Sequence, residues 1–119
     1  MDPYSDVLNK AGIDIESGLR RISGKRERYE SLLRKFAARQ AGTVASIRAA
    51  LSGGDIATAE RDAHSLKGAA ATLGADVLAE DAAKAEAAIK SGVAVDEALL
   101  SLSRTLDAVV KAIRAALPD

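Results

Sequence analysis

Six aliphatic residues, Leu99, Leu102, Leu106, Val109, Ile113 and Leu117, recur every three or four positions near the end of this chain. An α-helix turns once in about 3.6 residues, so this spacing puts all of them on one face. Other segments repeat the pattern. Leu78, Ala82, Ala85 and Ile89 stand at i, i+4, i+7 and i+11, and Tyr29, Leu33, Phe36, Val44, Ile47 and Leu51 lie near heptad spacing. Ile15, Leu19 and Ile22 mark a shorter helix, which Asp14 is placed to cap. Ser23-Gly24, Gly53-Gly54, Gly74 and Ser91-Gly92 divide the chain into five segments, and Asp55 is a good N-cap for the third. The two prolines, Pro3 and Pro118, stand at the ends, so proline breaks no segment internally. Gly42 costs helix stability inside the second segment and predicts a bend or weak turn there. No segment alternates with period two. The expectation is an all-α fold: an antiparallel up-down four-helix bundle with an additional short N-terminal helix, forming a single domain over residues 1–119.

Composition agrees with that architecture. A chain of 119 residues suits one hydrophobic core, and 48% hydrophobic with 29% charged residues is globular rather than disordered. Aromatics are only 3% and about a fifth of the residues are alanine, which favours closely approaching helices over a sheet sandwich. The lack of cysteine excludes disulfides and thiolate metal sites, and a lone histidine excludes a histidine-rich zinc site. No apolar run approaches the roughly 20 residues that span a bilayer. Met1-Asp2-Pro3-Tyr4-Ser5-Asp6 is acidic and polar, unlike a signal peptide. A soluble cytoplasmic domain without membrane insertion is therefore expected. The net charge is zero, 17 basic against 17 acidic residues, which argues against a nucleic-acid partner. The charges are uneven: nine basic and two acidic between Arg20 and Arg48, two basic and six acidic between Ala75 and Glu97. Solvated helix faces account for this as readily as a docking role for the basic segment.

The one histidine, His64, lies in Ala63-His64-Ser65-Leu66-Lys67-Gly68. Advancing about 100° per residue puts Leu66, Leu73, Ala59 and Ala70 on the opposite, core-facing side. Ala57, Glu60, Arg61, Gly68 and Ala71 share the histidine's side, with Lys67 at the edge. His64 therefore points away from the core, and the surface around it is flat and small. An exposed imidazole near neutral pH offers a neutral nitrogen nucleophile. Mid-helix glycine costs about 0.5–1 kcal/mol relative to alanine, so Gly68 suggests that even a methyl group would obstruct something. Lys67 reads either as an ordinary solvated lysine or as an ammonium that offsets charge on a phosphoryl group at His64. Arg61 is placed to assist similarly. Asp62, Ser65 and Thr72 fall towards the core boundary or a neighbouring helix and read as structural.

The run from Ala63 to Gly68, continued by Ala69 to Thr72 and Leu73-Gly74, resembles the His-x-Leu-Lys-Gly signature of histidine-containing phosphotransfer (HPt) domains. Gly12 to Leu19 and Tyr29 to Phe36 look like the N-terminal half of the HPt domains that end bacterial hybrid sensor kinases. The resemblance covers nearly the whole chain from about Gly12. It implies that His64 is the phosphoacceptor, Lys67 its charge partner and Gly68 the clearance residue, with Ala57, Ala71 and Arg61 on the surrounding docking surface. It further implies a monomeric phosphocarrier for receiver domains or a hybrid sensor histidine kinase. No cofactor is expected, since the Mg²⁺ needed belongs to the receiver.

Three rivals follow from other classes. An ATP-dependent kinase lacks support, because the chain carries no Gly-x-Gly-rich phosphate loop, no nucleotide domain and no acidic metal set. The phosphoacceptor domain of chemotaxis-type kinases shares the fold and a similar His-Ser-Leu/Ile-Lys-Gly run, and takes its phosphoryl group from an ATP-binding domain elsewhere. The N-terminal half and Leu73-Gly74 favour the hybrid-kinase type over it. A helical scaffold that carries no phosphate is the third, and the intact His64, Lys67 and Gly68 weigh against it.

Overall fold

The computed structural model describes residues 3–118, and among these it contains seven α-helices and no strand. They are α1 (Pro3–Lys10), α2 (Ile15–Arg21), α3 (Arg26–Gln40), α4 (Thr43–Ser52), α5 (Ile56–Thr72), α6 (Asp76–Ser91) and α7 (Val95–Ala116). Met1, Asp2 and Asp119 lie outside the described residues, so the acidic N-terminal stretch is followed only from Pro3. No helix among the described residues is long and apolar enough to cross a membrane.

Every residue of the α7 stripe is buried, and so are Leu78, Ala82, Ala85 and Ile89 on α6. Tyr29, Leu33, Phe36, Val44 and Ile47 join them, with Leu51 half-buried. The second segment departs from a single long helix. It is two helices, because the chain breaks at Ala41 and Gly42. There the Gln40 Oε1 accepts a hydrogen bond from Thr43 Oγ1 at 2.5 Å, and Thr43, Val44 and Ile47 turn inwards on the new helix. The break redirects packing: α4 lies against α5, whereas α3 leans chiefly on α7. A further helix, α1, precedes the expected short one and packs on α7, where Leu8 is fully buried.

The short helix α2 forms as expected, with the Asp14 carboxylate accepting from Ser17 N–H at 3.1 Å. Its place is fixed by the end of α5. Gly74 takes a left-handed conformation (φ +83°), and the Ala75 and Gly74 N–H groups bond back to Ala70 and Ala71 carbonyls, closing a Schellman turn. The remaining carbonyls of the turn bind the N-terminal region: Gly74 O accepts from Asp14 N–H at 2.8 Å, and Leu73 O accepts from the Tyr29 hydroxyl at 2.6 Å. Burial, with Tyr4 and Asp14 nearby, pushes that hydroxyl far above the ordinary tyrosine value of 10.0 and keeps it a donor. Gly18 fits between them only because it lacks a side chain: an added Cβ would lie 2.5 Å from both Leu73 O and the Tyr29 ring.

Gly18→Ala is expected to lower unfolding stability by about 1–3 kcal/mol through this overpacking, measured by urea or thermal denaturation. A melting curve unchanged from wild type would show that the contact relaxes without cost.

Candidate functional site

Helix α5 opens on Asp55, whose carboxylate accepts from Thr58 N–H at 3.1 Å and Thr58 Oγ1 at 2.7 Å. Those bonds, aided by the charge of Arg61, hold the Asp55 carboxyl below its ordinary value. From that cap the helix runs to the Schellman turn at Gly74, so both of its ends are fastened. Ala59, Ala63, Leu66 and Ala70 are fully buried, which leaves His64 on the outer side with 66% of its side chain exposed. Small residues surround it: Ala57 and Gly68 are exposed and Ala71 is half-buried. A Cβ built on Gly68 meets nothing within 4 Å. No contact inside the chain demands glycine there.

Lys67 is half-buried and reaches across to α6. Its Nζ donates to Glu86 Oε1 on α6 at 3.1 Å, and His64 Nδ1 stands 3.0 Å from Glu86 Oε2. Lys90, one turn further along α6, adds its Nζ at 3.5 Å from the same oxygen. Glu86 is a buried residue, and an unpaired carboxylate there would be costly. Burial by itself raises its pKa, but the Lys67 hydrogen bond and the charges of Lys67, Lys90 and His64 outweigh that and hold the carboxyl below its ordinary 4.5. The ionised cluster therefore stabilises the fold above that ordinary value, and its contribution is lost as pH falls through the lowered one.

The carboxylate also assigns the imidazole tautomer. An ionised carboxylate only accepts, so the neutral ring donates from Nδ1 and keeps the Nε2 lone pair free. The ring is thus oriented, polarised and exposed, with an ammonium one turn away.

Glu86 and Lys90 are site residues that sequence reasoning passed over. The available signal was a carboxylate beside the α6 stripe, four residues after Ala82 and three before Ile89. Arg61 is exposed on the histidine's side and makes no hydrogen bond to His64. Ser65 and Thr72 differ from expectation: both are exposed, and Thr72 Oγ1 donates to Gly68 O at 3.0 Å. Asp62 is half-buried, as its place near the core boundary implies. No group of three or more His, Cys, Asp or Glu residues placed to hold a metal ion occurs among the described residues.

A family model described as the Hpt domain matches residues 31–116, and the chain belongs to that family. No curated protein and no solved structure matches it. Hpt domains act in histidine phosphotransfer within phosphorelays, as phosphocarriers that interact with receiver domains and kinases.

¹⁵N NMR above neutral pH is expected to show His64 protonated at Nδ1. Glu86→Gln should retain this tautomer through its amide oxygen, whereas Glu86→Ala should shift the ring towards the Nε2–H form. An unchanged pattern in Glu86→Ala would remove Glu86 from this role.

Proposed function

We propose that His64 accepts a phosphoryl group from a receiver-domain aspartate and passes it to another receiver. The observation that carries this reading is the exposed imidazole held by Glu86 with Nε2 free, in a chain of the Hpt family. The Nε2 lone pair attacks phosphorus in the acyl phosphate and forms an N–P bond. The P–O bond to the aspartate breaks, and its carboxylate leaves with the electron pair. Because Nδ1 keeps its proton, the ring becomes cationic as the bond forms, and Glu86 lies beside that developing charge. Lys67 lies one turn away, where its ammonium offsets the phosphoryl charge. In the reverse direction the N–P bond breaks and the ring leaves with its electron pair as neutral imidazole, which suits a carrier that both takes and gives.

Mg²⁺ belongs to the receiver in this scheme, and this chain supplies a nucleophile on a helix fastened at both ends. Residues 1–119 act as one unit, with α3–α4, α5, α6 and α7 as the rods of an up-down bundle and the N-terminal helices closing one end. We place the protein in the cytoplasm as a monomer, serving a hybrid sensor histidine kinase or a free receiver. Ala57, Ala71, Gly68 and Arg61 form the surface over which the receiver settles.

Incubation with a phosphorylated receiver is expected to label the chain with an acid-labile, alkali-stable phosphoryl group, while ATP alone gives none. His64→Gln should abolish the label. Label that persists in that variant, or no transfer from any receiver tried, would sink the assignment.

Gly68→Ala separates clearance from folding. With open space around it, alanine should raise stability by about 0.5–1 kcal/mol through helix propensity. The same methyl group should slow transfer severalfold by standing between the receiver and His64. Stopped-flow transfer rates equal to wild type would remove the clearance role.

A further inference from the structure

Two ammonium groups converge on one carboxylate beside His64. Lys67 Nζ lies 3.1 Å from Glu86 Oε1, and Lys90 Nζ lies 3.5 Å from Oε2, the oxygen that also stands 3.0 Å from His64 Nδ1. A single carboxylate is neutralised by a single ammonium, so with a neutral ring the cluster carries a spare positive charge. Lys90 follows Glu86 by four residues on α6, the order and spacing that favour a helical Glu–Lys pair. Its side chain is 59% exposed, against 36% for Lys67 and 12% for Glu86. An ion pair with so exposed a partner adds little to folding. Stability alone therefore gives small reason for the second cation.

Phosphorylation changes the balance of charge. A phosphoryl group on Nε2 brings a charge of about −2, and the ring, keeping its Nδ1 proton, becomes a monocation. The added negative charge then matches the spare positive one in amount. Its position differs, because the ammonium that follows His64 on the same helix is Lys67, and Lys67 is held at Glu86 Oε1. To turn towards a phosphoryl group it must leave a largely buried carboxylate, which resists losing a counter-ion. Lys90 already stands at that carboxylate on an exposed, flexible stem, and its Nζ can close from 3.5 Å.

We propose that Lys90 is the relief counter-ion of Glu86, taking over the carboxylate when a phosphoryl group on His64 draws Lys67 away. This rests on the phosphotransfer reading of His64, because that reading supplies the phosphoryl group. Lys90 acts through Glu86 and Lys67 rather than on the reacting atoms, which makes it a positioning residue. Without it Lys67 is shared between two anions, and phosphorylated His64 is disfavoured against the phosphoaspartate of the receiver. With it Glu86 stays ionised, and the Nδ1–H bond that orients the ring persists while the phosphoryl group comes and goes.

Labelled phosphoryl group is equilibrated between a receiver and the chain with Mg²⁺ present, and the ratio of phosphohistidine to phosphoaspartate is measured. Lys90→Ala should lower this ratio about fivefold, and Lys90→Arg, which keeps the charge, should restore it to within about twofold. Lys84→Ala removes the same charge from an exposed position of α6 that borders α7, and should leave the ratio within about 1.5-fold. In a Lys67→Met background there is no ammonium to release, so adding Lys90→Ala should change the ratio by less than about 1.5-fold. An unchanged ratio in Lys90→Ala, no rescue by arginine, or an equal loss in Lys84→Ala or in the Lys67→Met background overturns the assignment. If no receiver exchanges label with the wild-type chain, the phosphotransfer reading fails. The same variants are then loaded from phosphoramidate, whose N–P bond breaks and whose nitrogen leaves as ammonia while Nε2 takes the phosphoryl group. The same pattern in the initial loading rates keeps the Lys90 assignment, and its absence overturns that as well.

Discussion

The close approach of α5 and α6 governs everything at the site. Ala59, Ala63 and Ala70 on one helix and Ala82 and Ala85 on the other are all fully buried, and these two helices share the most extensive contact in the molecule. Small side chains let backbones come near each other, and a near backbone brings a short acidic side chain within bonding distance of the opposite helix. Glu86 reaches both His64 and Lys67 across that contact. Larger core residues at those alanines would widen the gap and leave the carboxylate short of the imidazole. The alanine-rich composition thus serves the electrostatics as much as the packing.

Helical periodicity was enough to orient His64, because α5 is long, regular and apolar on one side. It was also enough for the α6 and α7 stripes, whose members are all buried. It did not reveal Glu86, because a partner across two helices depends on their register. That register is set by the turn at Leu73 to Ala75 and by the fit of the alanines. Helix α1 was not legible either: its eight residues hold few apolar positions, and Leu8 is buried in a helix that packs chiefly on α7. Gly42 did announce a weakness in the second segment, but propensity alone does not say whether a helix bends or divides. Helical angle alone puts Ser65 and Thr72 at a boundary, whereas both are exposed. The divergence of α3 from α5 leaves that side open.

The site is asymmetric about α5. Towards α6, positive and negative groups are paired, which fixes the ring. Towards α3, cations stand beside apolar surface without partners. One flank holds the imidazole and the other leaves it unconstrained, so substitutions on α3 leave the imidazole's surroundings as they are.

The seam between the N-terminal region and the end of α5 is made largely of main-chain atoms. Asp14 N–H meets Gly74 O, and the close approaches at Gly18 and Gly74 involve the Leu73 and Asp14 carbonyls. Every residue but proline carries that N–H and every residue carries that carbonyl, so the seam asks little of side chains beyond two glycines and one phenol. Substitutions at the exposed positions of α1 and α2 can therefore be wide without unfastening α5, whereas a side chain at Gly18 or Gly74 would strike the facing carbonyl.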